Sequence, residues 1–272
     1  MTVMLELTAG VATDVGRVRD HNEDAAVASE SVFAVADGMG GHAAGEVASE
    51  IAARTVGRLD GMARLRLQDI VAQVDEANRT ILRSAANDPR QAGMGTTLAG
   101  LAVIEVSGSD HWAVFNIGDS RVYRLSRDGE LELVTVDHSE VRELIDAGWI
   151  TEEEARTHPA RNVVTRSLGR DPMGAVDTWV FPQQPGERFL VCSDGLSNEC
   201  SSDDIRSVLL GHPDAQAAAT ALVDLACDHG GRDNVTAIVV SLAGAQGVAD
   251  IDEETSPRGR QERQGQVTTE GW

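Results

Sequence analysis

The chain has 272 residues, a net charge of −21, 42% hydrophobic residues and 3% aromatic residues. These values are typical of a soluble globular protein with an aliphatic core, and the acidity disfavours nucleic-acid binding, which needs a basic surface. No run reaches the roughly 18 apolar residues of a membrane span, and Met1–Gly10 lacks the basic segment of a secretory signal. We therefore expect a cytoplasmic protein with no membrane span and no nucleic-acid partner.

The apolar runs, taken in chain order, come in groups. Strands are predicted near residues 9–14, 25–28 and 31–36, followed by helices near 44–59 and 67–87. Next come strands near 96–106, 111–117, 121–125 and 131–135, then short helices near 139–147 and 151–157, the second opened by a Thr151–Glu154 capping box. The last elements are strands near 176–181 and 187–192, helices near 202–210 and 215–229, and a strand near 234–242.

This grouped order predicts an α+β fold of antiparallel sheets with pairs of helices outside, since a doubly wound parallel sheet would alternate strand and helix. We predict one domain over residues 1–242, because no linker or repeat divides that stretch. Within it, residues 136–175 are rich in short helical pieces and loop residues, which is typical of a flap over a substrate. Residues 243–272 are polar and rich in Gln, Gly and Glu, so we expect a disordered tail.

Four aspartates stand where apolar runs begin or end: Asp37, Asp119, Asp194 and Asp233. One Asp-Gly after a strand is ordinary turn chemistry, but four such carboxylates favour another explanation. Carboxylates brought together repel one another, and divalent cations remove that penalty. Oxygen ligands without paired His or Cys indicate Mg²⁺ or Mn²⁺, and an acidic site of this size can hold two ions that act on a phosphoryl group.

The upstream segment "TDVGRVRDHNED" adds a cation to this acidic set. Arg19 lies four residues before Glu23, with Asp24 adjacent. An arginine can bind a phosphate through two parallel hydrogen bonds. A single arginine beside carboxylates is more often a salt-bridge partner, so this interpretation depends on the other acidic residues.

A competing interpretation is that residues 38–43, "GMGGHA", bind a dinucleotide, because they fit the pattern G-x-G-x-x-G/A. Asp60 even lies near the position of a ribose-binding acid. However, Asp37 would place a carboxylate beside the pyrophosphate. Two helices also follow in succession, which breaks the βαβ unit that this motif requires.

Eight motifs in order resemble one family. They are "GRVRDHNED", "VFAVADGMGGH", "MGTTL", "NIGDSRVYR", "VTVDHS", "NVVTRSLG", "LVCSDGL" and "GRDNVTAIVV". Together they resemble the PPM family, the metal-dependent protein phosphatases of the 2C type, especially its compact bacterial members. The likeness runs from about residue 8 to residue 242. It implies a four-layer α-β-β-α sandwich of two antiparallel sheets flanked by helix pairs.

The resemblance also implies a role for each acidic position. Asp37 matches the aspartate that bridges two metal ions, and the carbonyl of Gly38 matches a ligand of one of them. Asp194 and Asp233 match further metal ligands, and Glu23 matches an acid that reaches the metal through water.

Five more positions follow from the same comparison. Asp24 belongs to the network of Glu23, and Asp119 in "GDSR" matches a ligand of a third, weakly held ion. Arg19 matches the arginine that binds the substrate phosphate. His42 is the candidate match to the general acid of the family, although Met39, Gly40 and Gly41 separate it from the Asp-Gly pair. Asn234 is expected to orient Asp233 or its turn.

The implied function is that of a Ser/Thr protein phosphatase in which a water activated by two Mn²⁺ or Mg²⁺ ions attacks phosphoserine or phosphothreonine. Its partners would be phosphoproteins and a cognate Ser/Thr kinase, and we expect a monomer. A non-catalytic pseudo-phosphatase that serves as a partner module is the other alternative. It is disfavoured because Asp37, Asp194, Asp233 and Arg19 are all present.

Overall fold

The computed structural model describes residues 6–40 and 44–243, and its first sheet has five antiparallel strands. In spatial order these are β1 (Glu6–Asp14), β11 (Val235–Ala243), β10 (Arg188–Cys192), β7 (Arg121–Leu125) and β8 (Leu131–Leu133). The first and last strands of the described chain are therefore neighbours, paired along their whole length from Glu6–Ala243 to Asp14–Val235. This pairing brings the two ends of the domain to one place.

The second sheet has six strands, which pair antiparallel in the same way. In spatial order these are β2 (Asp24–Ala28), β3 (Val32–Met39), β5 (Leu98–Val106), β6 (Ser109–Ile117) and β9 (Asp177–Pro182), with the short β4 (Gly95–Thr96) paired to the end of β3. The predicted strands are thus present, and the structure adds β4, which is too short to show an apolar pattern.

Helices cover the outer face of each sheet. On the second sheet lie α1 (Ala44–Val56), a 3₁₀ turn (Gly57–Leu59), α2 (Leu67–Asn87) and a second 3₁₀ turn (Pro89–Gln91). On the first sheet lie α5 (Asp194–Ser197), α6 (Ser202–Gly211) and α7 (Ala215–His229). A third apolar cluster fills the space between the two sheets. The predicted α+β class and the α-β-β-α order of layers are confirmed.

The position of strand β3 between two apolar layers explains why its sequence is apolar without interruption. Phe33 and Val35 point into the cluster between the sheets, whereas Val32, Ala34 and Ala36 face the helices. Because successive side chains of a strand point to opposite faces, a strand in a middle layer needs apolar residues at every position. The first charged residue, Asp37, therefore marks where the strand leaves the core.

The predicted flap leaves the first sheet after β8 and returns to the second sheet at β9. It contains α3 (Glu140–Asp146) and α4 (Glu152–Ala155), and the predicted capping box at Thr151 and Glu154 opens α4. Its base is closed by an isolated bridge between Ser139 and Val164. The expected tail, apart from Ala243, lies outside the described residues. Within the described ranges, none of the helices combines the length and apolar content needed to cross a bilayer.

Candidate metal centre

A cavity of about 400 Å³ opens where strands of both sheets end. Five carboxylate side chains line it: Glu23, Asp37, Asp119, Asp194 and Asp233. The 2C-type resemblance assigned a metal-site role to every one of these residues, and the fold brings all five together. Arg19, Gly38 and Asn234 line the same cavity.

Asp37 is held by the backbone and side chains of a neighbouring segment. Its N–H donates to Thr97 Oγ1 at 3.0 Å, and its carbonyl accepts from Thr97 N at 2.9 Å and from Thr96 Oγ1 at 2.9 Å. The Thr97 hydroxyl also contacts Ser120 Oγ at 2.7 Å, one residue after Asp119. Sequence reasoning missed this positioning role, although the motif "MGTTL" contains both threonines.

Asp24 lies behind the cavity rather than in its lining. It is the direct partner of Asp37 in the antiparallel pairing of β2 and β3. Ser193 Oγ donates to Asp24 Oδ2 at 2.7 Å, whereas the buried Asp24 Oδ1 has no hydrogen-bond partner among the described atoms. Burial raises the pKa of Asp24 to about 7, against the pull of the hydrogen bonds from Thr236 and Ser193.

Asp194 does not end a simple turn, because it begins the short helix α5. Asn198 Nδ2 donates to Asp194 Oδ2 at 3.0 Å. Burial raises the pKa of Asp194, and Asp233 raises it further, while a hydrogen bond from Asp37 lowers it. The pKa of Asp37 is raised well above its ordinary value by burial and then by Asp24 and Asp194. Burial and the neighbouring carboxylates therefore disfavour the ionised form of Asp37.

The pKa values of two other acidic residues in the cavity are also raised. Burial raises the pKa of Asp119 to about 8, with a further contribution from Asp194. Burial also raises the pKa of Glu23. Raised carboxyl pKa values in one cavity are the signature of negative charges that lack a counter-charge.

Close backbone approach explains the glycine at position 38. A Cβ on Gly38 would lie 2.2 Å from the carbonyl oxygen of Gly45, in the first turn of α1. Gly38 N donates to the carbonyl of Glu23 at 3.1 Å. This amide is therefore committed within the protein, which is evidence against a glycine loop that offers its amides to a pyrophosphate.

Asn234 ties the segment that carries Arg19 and Glu23 to the turn before β11. Its Nδ2 donates to the carbonyls of Val15 at 3.0 Å and His21 at 2.9 Å, and its Oδ1 accepts from Glu23 N at 2.8 Å. Its own N–H donates to Asp233 Oδ1 at 2.9 Å. The expectation that Asn234 organises the Asp233 turn therefore agrees with the geometry.

Arg19 lies at the mouth of the cavity and pairs with Asp233. Arg19 Nη2 lies 2.7 Å from Asp233 Oδ2, with about half of the arginine side chain exposed. This hydrogen bond raises the pKa of Arg19. The guanidinium is thus a permanent positive charge beside the acidic cluster, in reach of an anion that enters the cavity.

His138 connects the base of the flap to the Asp119 turn. Its Nδ1 accepts from Gly118 N at 3.1 Å, so the ring proton is on Nε2, which donates to Asp177 Oδ2 at 3.1 Å. The ring is fully buried, and burial lowers its pKa, which favours the neutral form. Sequence reasoning missed this role, although the motif "VTVDHS" contains His138. The other histidine of interest, His42, lies outside the described residues.

The donor set fits hard divalent cations. All of the donors are carboxylate or carbonyl oxygens, an unpartnered oxygen of Asp24 lies behind them, and burial raises the pKa values of Asp37 and Asp194. Within the part of the chain that the structure describes, no three ligand-type side chains already form a group that could hold an ion. We therefore expect the carboxylates to draw closer together when cations neutralise their mutual repulsion.

Comparison with known proteins agrees with this site. The family model for protein phosphatase 2C matches residues 17–225. The serine/threonine phosphatase stp of Listeria welshimeri is 36% identical over 239 residues, which cover 84% of this chain and 93% of that protein. The serine/threonine protein phosphatase PstP of Mycobacterium tuberculosis is 38% identical over 244 residues, which cover 88% of this chain and 46% of that protein.

Solved structures give the same result. The crystal structure of the M. tuberculosis phosphatase PstP/Ppp has a TM-score of 0.81 at 38% identity, covering 87% of this chain and 99% of that one. The catalytic domain of PstP in complex with two manganese ions has a TM-score of 0.78 at 37% identity, covering 88% of this chain and 100% of that one. The chain belongs to the protein phosphatase 2C family.

Proposed function

We propose that this protein is a metal-dependent Ser/Thr protein phosphatase that hydrolyses phosphoserine and phosphothreonine on other proteins. The observation that carries the proposal is the convergence of five carboxylates and Arg19 on one cavity. Two relatives with 36% and 38% identity bear the names of serine/threonine phosphatases, and a related catalytic domain binds two manganese ions. The cognate Ser/Thr kinase, the monomeric state and the cytoplasmic location belong to the same proposal.

Asp37, Asp194 and Asp233 would hold two Mn²⁺ or Mg²⁺ ions, with the Gly38 carbonyl as a further ligand and Glu23 acting through water. When bound, two such ions activate a water and neutralise charge on the phosphoryl group during in-line displacement. Asp24 would lie behind Asp37 and assist the metal ligands without binding an ion directly. Its buried Oδ1, which has no hydrogen-bond partner among the described atoms, supports this role.

Asp119 would bind a third ion, because its carboxylate lines the same cavity. The N–H of the preceding residue, Gly118, donates to His138 at the base of the flap. The raised pKa of Asp119 reflects burial near Asp194, and a cation beside it would restore the ionised form.

Arg19 would orient the substrate phosphate. Its guanidinium is always charged and presents parallel N–H donors that match two phosphate oxygens. Its present partner, Asp233, is one of the proposed metal ligands. The same residue pair therefore links the position of the phosphate to the position of the metal.

The leaving alkoxide of serine or threonine needs a proton. His42 is retained as the candidate donor, since it follows Gly38 closely in the chain. General acid catalysis by a positioned side chain contributes roughly 10²–10⁴-fold. His42→Gln should therefore reduce turnover of a phosphothreonine peptide more than turnover of p-nitrophenyl phosphate, whose leaving group needs no protonation.

The direct test is phosphate release from a phosphothreonine peptide by the full chain, after chelation and then with added Mn²⁺. The proposal predicts no release after chelation, release with Mn²⁺ and a near-complete loss in Asp37→Asn. Turnover that survives chelation, or that Asp37→Asn keeps, would contradict the assigned chemistry. Failure of the wild type to release phosphate with Mn²⁺ would favour the non-catalytic alternative.

A further inference from the structure

Two cationic side chains line the acidic cavity among the described residues, and they differ in their partners. Arg19 is paired with Asp233. Arg170, which lines the same cavity, makes no ion pair with any carboxylate in residues 6–40 and 44–243. In a chain with 44 acidic and 23 basic residues, an unpaired cation beside a strongly acidic cavity calls for an explanation.

The backbone of Arg170 is firmly held. Asn78, a buried residue of α2, donates from Nδ2 to the carbonyl of Arg170 at 3.0 Å and accepts from Gly169 N at its Oδ1 at 2.6 Å. The neighbouring Leu168 forms an isolated bridge with Thr96, the residue before Thr97. The position of Arg170 is therefore fixed relative to the segment that holds Asp37.

The side chain of Arg170 is exposed and makes limited contacts of its own. Its Nε donates to Ser167 Oγ at 3.1 Å, and Nη2 makes a long contact of 3.5 Å with the carbonyl of Val164. These contacts orient the guanidinium, but they leave most of its five N–H donors without a protein acceptor. A ligand with anionic oxygens can use those donors.

We propose that Arg170 forms a subsite for an acidic group that flanks the phosphorylated residue of the substrate. The inference rests on the proposed function, because the phosphorylated residue must enter the same cavity. A planar guanidinium pairs best with a carboxylate or a phosphate, so the ligand is the side chain of Asp or Glu. A second phosphoryl group has the same chemistry, and the experiment separates the two sources.

Three other lining residues from the same segment as Arg170 favour a polypeptide ligand. Asn162, Val163 and Val164 line the cavity next to Arg170, and Val163 is 44% exposed. An exposed apolar side chain, a side-chain amide and an arginine along one edge suit a peptide better than a small phosphate ester. The subsite would therefore affect which phosphopeptides are preferred.

The test compares three peptides with the full chain and Mn²⁺: a phosphothreonine peptide with neutral flanking residues, the same peptide with flanking Glu, and the same peptide with a second phosphothreonine. The measured quantity is kcat/KM for phosphate release, expressed as the ratio of each acidic peptide to the neutral one. An ion pair at an exposed site is expected to give a ratio of about five. The ratio should fall towards one as the salt concentration rises.

Three variants make the test specific. Arg170→Gln should lower the ratio to about one, and Arg170→Lys should keep part of it, since the charge remains while the planar fork is lost. Arg58→Gln is the matched control, because Arg58 is an exposed arginine that does not line the cavity, and it should keep the wild-type ratio. A ratio that only the doubly phosphorylated peptide shows, and that Arg170→Gln removes, would assign the subsite to phosphate.

Two results would overturn the inference while leaving the proposed function intact. One is a wild type that hydrolyses all three peptides with equal kcat/KM. The other is a preference for acidic peptides that Arg170→Gln keeps unchanged. If the wild type hydrolyses none of the peptides with Mn²⁺, the proposed function fails and the inference falls with it.

Discussion

In the metal-free protein, Asp24→Asn should remove a defined part of the pH dependence of stability. The ordinary pKa of 3.8 rises to about 7 for Asp24 in the folded protein, mainly because the carboxyl group is buried. The folded state therefore binds a proton that the unfolded state releases. The stabilisation from that proton is complete below about pH 4 and is lost as the pH rises through 7.

The magnitude follows from the distance to the folded-state pKa. At pH 5, two units below about 7, the bound proton contributes about 3 kcal/mol, at about 1.4 kcal/mol per pH unit, and at pH 8 it contributes almost nothing. The wild type should therefore lose about 3 kcal/mol through this side chain between pH 5 and pH 8. The asparagine of the variant is neutral at both pH values, so Asp24→Asn should not show this loss of stability. Saturation with Mn²⁺ should suppress the effect, because cation binding favours the ionised carboxylates.

The assay is urea unfolding in divalent-free buffers at pH 5, 6, 7 and 8, with the free energy of unfolding compared between the wild type and Asp24→Asn. Asp110→Asn, at an exposed position of β6, is the control and should follow the wild type. Equal pH dependence in the wild type and Asp24→Asn would refute the reasoning. It would mean that Asp24 is already ionised at pH 5 despite its burial.

Two further predictions concern the frame around the site. Glu187 is almost fully buried and accepts hydrogen bonds from Trp112 Nε1 and Arg124 Nε, which come from different sheets. Glu187→Gln should lower the free energy of unfolding by about 3 kcal/mol, because it leaves the largely buried Arg124 without its charge partner. Glu132→Gln, at an exposed position, should not lower it, and equal losses in the two variants would contradict this role. His138→Leu should lower Mn²⁺-dependent kcat about ten-fold, because the Gly118 N–H loses its acceptor. His138→Asn keeps an acceptor for that N–H and should lower kcat less. Equal losses of kcat in both variants would mean that the packing of the ring, and not its hydrogen bond, affects the site.

Much of the fold could be predicted from the sequence because its elements are strongly patterned. Strand β3 is apolar throughout because it lies in a middle layer, and α2 (Leu67–Asn87) buries one face while the other stays polar. The α+β class, with helix pairs outside antiparallel sheets, followed from the grouping of such elements, and the four-layer order was implied by the family resemblance. Strand β4, two residues long, gave no periodic signal and was missed.

The members of the site could be predicted, but their arrangement could not. Asp37 and Asp194 stood out because each follows an apolar run and precedes a glycine. The direct pairing of Asp24 with Asp37 depends on the register of β2 and β3, and spacing along the chain does not determine register between strands. The link from His138 to Gly118 spans 20 residues and depends on how the flap returns to the sheet.

The most direct test of the metal centre is calorimetric titration of the metal-free protein with Mn²⁺, comparing the wild type with Asp37→Asn. If Asp37 is shared by two ions, the wild type should bind two ions tightly, apart from the weaker third ion at Asp119, and Asp37→Asn should weaken both tight binding events. Asp110→Asn should bind as the wild type does. Unchanged stoichiometry and affinity in Asp37→Asn would contradict the assignment of Asp37 as the residue around which the site is built.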